Sequence, residues 1–183
     1  MSPVTPHDVL DLWFSERVRP LWFNATPAFD QELRERFEPT WQQARDGELI
    51  HWSYAPSGAL ALTIVLDQLP LNMFRGQPVC FSTEAQAREV ARQAIALGWD
   101  QGLSDEQKAF LYLPFMHSEA LADQERSVAL FEAAGLEHNL RWARHHRDLI
   151  RRFGRFPHRN AILGRASSAE ETVYLQSDEA FHG

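Results

Sequence analysis

The stretch SGALALTIVLDQLP, residues 57–70, limits what this chain can fold into more than any other part of it. A surface helix keeps its apolar residues on one stripe. This one is apolar nearly all round, the pattern of a helix buried on every side. Its longest apolar run, Ala59–Leu66, is far shorter than the ~20 residues that cross a bilayer. The stretch therefore predicts a central core helix, ended at Pro70 because proline breaks the hydrogen-bond ladder. The rest of the chain must wrap it.

The remaining sequence supplies helices to do so. Thr5 and Thr26 each precede a proline (Pro6, Pro27), the order of an N-cap followed by a first helical residue that needs no N–H. In the second of these helices Phe29, Leu33, Phe37, Trp41 and Ala44 recur at helical spacing, Gly47 is a stop, and Pro39 predicts a kink or split. STEAQAREVARQAIALG reads as an amphipathic helix closed by Gly98. Ser104 with Gln107, and Ser168 with Glu171, form capping boxes, and the helix behind the first should end near Pro114. A further helix is expected from Ser118, as its cap, to Gly135, and another up to Gly154. No segment alternates with period two, so a sheet is not expected. The expectation is one all-α domain over residues 1–183, a single compact array of about 7–9 helices in antiparallel pairs joined by short loops.

Cys80 is the sole cysteine, which excludes an internal disulfide and a cysteine-built zinc site. MSPVTPHDVL lacks the basic start and apolar stretch of a signal peptide, so a cytoplasmic location is the default expectation, with no membrane association. Charge is unevenly placed. The net charge is −7, yet residues 138–165 carry eight arginines against one acid, a local +7 that leaves −14 for the rest. A positive segment on an acidic body favours an anionic small ligand or an acidic partner segment. General nucleic-acid binding is disfavoured, because the chain is acidic overall and its only lysine is Lys108.

Three polar knots could carry chemistry. In RFGRFPHRNAILGR, Gly154 turns the chain and Pro157 opens a turn presenting His158, Arg159 and Asn160, flanked by Arg155 and Arg165. Arginine offers a fork suited to carboxylate or phosphate. The structural alternative is that Arg155, Arg159 and Arg165 tie helices together through acids such as Asp67 or Glu119. His146, on the helix leading into this loop, falls on its apolar stripe with Trp142, Leu149 and Phe153, while Arg141 and His145 fall on a polar stripe. His146 is then either a core histidine bonded to a backbone carbonyl or the wall of a pocket. In the second knot, His117, Ser118 and Glu119, the histidine and the carboxylate suit general acid–base work. Ser118 suits a helix cap better than a nucleophile, for no nucleophile elbow surrounds it. His117 and Glu119, with His146 and His158, would also suit a metal, but no HExxH or cysteine pair supports one, and no metal or other cofactor is expected. In the third knot Asp67, beside Gln68, requires a strong donor, for which Arg75 or an arginine near Arg155 is the candidate.

The pieces VLDLWF, LALTIVLDQLPLNMFRG, FLYLPFMHSE and RFGRFPHRNAILGR, in this order over nearly the full chain, resemble a bacterial family known as a domain of unknown function (DUF 924). The resemblance implies an all-helical fold similar to tetratricopeptide-repeat arrays and implies no activity. Its motif residues here are Asp67, Gln68, Asn72, Arg75, His117, Ser118, Glu119, Gln124, His146, Arg155, His158, Arg159, Asn160 and Arg165. Leu71 departs from the pattern, which usually has an arginine after the proline. The leading expectation is a pocket for an anionic small molecule or a carboxylate-bearing peptide end. Arg75, Arg155 and Arg159 would supply charge, His117 and His158 would orient the ligand, and Glu119 or Asp67 would hold the arginines. One rival is an enzyme pairing His117, His146 or His158 with Glu119 or Asp67. The other is a helical-repeat scaffold for a protein partner, in which the polar motifs are purely structural.

Overall fold

The computed structural model describes residues 3–181, and among these there are eight α-helices and no strand. They are α1 (Pro6–Trp13), α2 (Pro27–Arg45), α3 (Pro56–Met73), α4 (Glu84–Ala96), α5 (Asp105–Met116), α6 (Leu121–Ala133), α7 (Glu137–Phe153) and α8 (Ala169–Leu175). Single 3₁₀ turns interrupt the links, one of them Pro157–Arg159. Four of the five helix starts read from side-chain caps form as expected. The Thr5 hydroxyl accepts from Asp8 N–H at 3.3 Å and that of Thr26 from Phe29 N–H at 3.2 Å. Ser104 and Gln107 cap each other reciprocally, as do Ser168 and Glu171.

Contacts divide the chain into two compact units, Met1–Arg75 with Val79–Pro114, and Gly76–Pro78 with Phe115–Gly183. In the first, α3 is the core. Every residue from Gly58 to Pro70 is buried, against α1, α2, α4 and the Ile50–Tyr54 turn. Gly58 is required there, since a Cβ would lie 2.2 Å from the Trp52 carbonyl oxygen. Pro70 does not end the helix. α3 continues through it to Met73. A proline lacks the N–H that would bond the carbonyl four residues back, which here is Leu66. The Thr83 hydroxyl donates to that carbonyl at 2.5 Å and accepts from the Trp41 indole N–H at 3.1 Å. Pro39 likewise lies inside an unsplit α2, and Pro114 inside α5, which ends at Met116.

In the second unit α6 and α7 pack as an antiparallel pair, Arg144 reaching Glu132 and Arg151 reaching Glu125. α6 begins at Leu121 rather than behind Ser118. The Ser118 hydroxyl instead closes the preceding turn, accepting from Ala120 N–H and donating to Asp123. α7 ends as expected on Gly154, at φ +73° in the left-handed region, with its N–H on the Ile150 carbonyl. The chain then returns so that Phe156 and Tyr174 pack with Leu149 and Ile150, flanked by Phe153, Leu175 and Phe181. Among the described residues no helix is long and apolar enough to cross a membrane.

Candidate functional site

The turn after α7 ties its charges to the protein's own acids. Arg155 grips Glu171 with both arms of its fork, Nε–Oε1 at 2.7 Å and Nη2–Oε2 at 2.8 Å. Glu171 also accepts from Asn160 and from the Ser168 amide. The Arg155 bonds are the main reason its carboxyl is held down at about 2. Burial opposes them, and the Ser168 amide and Asn160 add to them. Asn160, almost wholly buried, passes the network on, since its carbonyl accepts from Arg165 Nε at 3.0 Å. Arg165 in turn holds Glu119 through two parallel bonds of 2.8 and 2.9 Å and donates to the Phe156 carbonyl at 3.1 Å. Glu119 accepts from the Phe156 N–H at 2.8 Å. Burial works against the charged form of Glu119. The bonds from Arg165 and Phe156 outweigh it, and the carboxyl stays below its ordinary range. Arg159 is buried, donates to the His117 carbonyl at 3.0 Å, and lies 5.0 Å from the centre of the Phe156 ring.

His146 has six per cent of its surface exposed, and its Nδ1 lies 2.8 Å from the Trp142 carbonyl. Burial pushes its pKa down to about 3 against that hydrogen bond, and the charges of His117, His145 and His158 push the same way. The ring is therefore neutral at pH 7, with Nδ1–H donating to the carbonyl and a lone pair on Nε2. Rings pack around it. Phe156 lies 5.5 Å and Phe181 4.8 Å away between centroids, and His158 lies 5.4 Å from Phe156 and 4.9 Å from Phe181. His117, His146 and His158 thus belong to one neighbourhood. Among the described residues, however, no three His, Cys, Asp or Glu side chains are arranged to hold a metal ion.

Asp67 and Arg75 lie in the first unit. Arg75 is not the partner of Asp67. Its Nε and Nη2 go to Asp30, at 2.8 and 3.2 Å, and Asn72 supports the same carboxylate at 2.7 Å. Asp67, wholly buried within α3 rather than at its end, accepts from Gln68 at 2.6 Å. Leu71, where the family pattern usually has an arginine, is half-buried.

The residues that sequence reasoning missed stand on the head of α7. Of the eight arginines between residues 138 and 165, six meet carboxylates: Arg144, Arg147, Arg151, Arg152, Arg155 and Arg165. Arg159 bonds a carbonyl. Arg141 has neither hydrogen bond nor ion pair among the described residues, and its guanidinium lies 5.9 Å from the Trp142 ring centre. With Trp142 and His145 it lines an open hollow of about 370 Å³, whose other wall is Asp178, Glu179, Ala180 and Phe181. The polar stripe of α7 was visible in the sequence. Which of its cations would be left over was not.

A family model described as a bacterial protein of unknown function (DUF924) matches residues 9–179. The solved structure of a protein of unknown function from Agrobacterium tumefaciens is similar, at 40% identity and a TM-score of 0.89, over 93% of this chain and 96% of that one. Among curated proteins nothing matches.

Proposed function

The chain belongs to the bacterial family of unknown function DUF924, and we propose that it is a binding protein whose site is the hollow at the head of α7. There Arg141, Trp142 and His145 would receive an anionic small molecule or the carboxylate of a peptide end. The observation that carries this reading is the Arg141 guanidinium, without hydrogen bond or ion pair among the described residues, over an exposed indole. Of the cations first expected to supply charge, Arg75 and Arg155 are each gripped by a carboxylate in a two-bond fork, as is Arg165, while Arg159 is buried on a carbonyl. A ligand anion would have to displace those bonds before making its own. Arg141 imposes no such cost, and an indole beside it gives a flat apolar surface for the ligand's body.

The acid–base reading draws less support. A histidine held at about 3 is a poor proton acceptor at pH 7, where an efficient base has a pKa near the working pH. Glu119, held charged by Arg165, has no proton to give. The arginine network supports the structural half of the scaffold reading, in which these motifs clasp the second unit together.

Calorimetric titration with benzoate and with inorganic phosphate tests the site. Wild-type protein should bind benzoate, and Arg141→Ala should weaken that binding at least tenfold without moving the melting temperature, since Arg141 makes no hydrogen bond or ion pair among the described residues. Equal affinity in wild type and Arg141→Ala would remove this reading, as would the absence of any anion binding.

A further inference from the structure

We propose that the segment Ser177–Phe181 is the protein's own occupant of this site, a latch that stands in for an acidic peptide bearing a phenylalanine. The inference rests on the binding reading above and names its ligand class and its control. The segment follows α8 and is held at two points. Its backbone is anchored through Tyr174: the Phe181 N–H donates to the Tyr174 hydroxyl at 2.9 Å, and Ser177 Oγ donates to the Tyr174 carbonyl at 2.7 Å. Its side-chain anchor is Phe181, whose ring meets four other rings: His146 at 4.8 Å, His158 at 4.9 Å, Trp142 at 5.9 Å and His145 at 6.4 Å. Three of these contacts are edge-on and the fourth is tilted, geometries that aromatic pairs favour.

Between the two anchors lie Asp178 and Glu179, which line the same hollow as Arg141 and His145. Both are exposed, and neither forms an ion pair with Arg141. The segment thus carries into the hollow the charge of the proposed ligand without making the ligand's bond. Its acids lower the local positive potential, and its phenylalanine fills the aromatic slot beside it. A residue placed only to complete the core would not need acids over a guanidinium that no described residue pairs. A masking segment does. Release of the segment would open a slot walled by Phe156, His146 and His158 and uncover Arg141 at its rim. The partner that fits both features is a peptide with acids two or three residues before a phenylalanine, the spacing of the segment itself.

The test uses the full-length chain and a fluorescein-labelled peptide of sequence Ser-Asp-Glu-Ala-Phe, read by fluorescence polarisation. Phe181→Ala frees the slot, and the labelled peptide should bind this variant at least tenfold more tightly than it binds wild type. The same peptide with alanine for phenylalanine should bind neither. Should Phe181→Ala lose its helical circular dichroism, the doubly substituted Asp178→Ser, Glu179→Ser chain, which keeps Phe181, gives the second measurement: its benzoate affinity should rise severalfold over wild type. Equal peptide binding by wild type and Phe181→Ala, or unchanged benzoate affinity in the double variant, overturns the latch. If Arg141-dependent benzoate binding persists in that case, the site survives and only its self-occupation falls. If no anion binds any form, the site falls with it.

Discussion

Replacing His146 with glutamine should remove a specific part of the protein's sensitivity to mild acid. In the folded chain burial holds this imidazole neutral down to about pH 3, whereas an unfolded histidine titrates near ~6.5. The folded value is the lower one, so the unfolded chain takes up the proton first. Stability from this group is complete above about pH 6.5 and drains as pH falls towards 3. Each pH unit in that window costs about 1.4 kcal/mol. Between pH 7 and pH 5 the loss is about 2 kcal/mol, allowing for the part of the titration already under way at pH 7.

The choice of pH 5 isolates the histidine. Glu171 and Glu119, whose folded values are also lowered, start to lose their contribution only below the unfolded glutamate value of about 4.3. Glutamine cannot titrate, and its amide N–H can still reach the Trp142 carbonyl. Whatever packing it loses against Phe156 and Phe181 is the same at both pH values. Urea denaturation of wild type and His146→Gln at pH 7 and pH 5 gives a difference of differences free of those costs. Wild type should lose about 2 kcal/mol more than the variant, which for a chain of this size is a melting-temperature gap of about 4–8 °C. If the two proteins lose equal stability, His146 is not buried and neutral, and the aromatic slot built around it is wrongly described.

Arg165→Lys should destabilise the second unit by about 2 kcal/mol, nearly as much as Arg165→Met, because an ammonium cannot reproduce a fork that serves Glu119, Asn160 and the Phe156 carbonyl at once; thermal denaturation showing lysine equal to arginine would contradict this. Thr83→Val should cost about 2 kcal/mol by stranding the Leu66 carbonyl beneath Pro70 and the Trp41 N–H. Thr83→Ser should restore most of that loss, and a valine variant as stable as wild type would mean that the Pro70 gap is relieved in another way.

Features whose cause is local were legible in the sequence. A threonine or serine cap acts on an amide three residues away, so four of the five side-chain caps could be read directly, Ser118 being the exception. Gly154 was readable for the same reason, because its left-handed backbone is demanded by the helix it ends. Pro70 was misread because its relief comes from Thr83, beyond the end of its own helix. The arginine-rich segment was left open between a site and a clasp for a related reason. Counting from residue 138 to 165 gave +7, but Glu119, Glu125, Glu132, Glu170 and Glu171, which answer it, all lie outside that window. Summed charge indicates that acids must be found. Only three-dimensional placement shows which cation, here Arg141, goes without among the described residues.

The same placement gives the polar turn after α7 a purpose that its composition did not suggest. Arg165 and Glu119 form one ion pair, and that pair holds both polar atoms of the Phe156 backbone, Glu119 taking its N–H and Arg165 its carbonyl. Phe156 is therefore positioned from both sides by charge, and its ring is what His146 and His158 pack against. Arg155 and Glu171 secure the next link, since Glu171 also caps α8 through Ser168, and α8 carries the Tyr174 whose hydroxyl anchors Phe181. The charges do not line the slot. They fix the two phenylalanines that do: one as its wall, the other as its occupant.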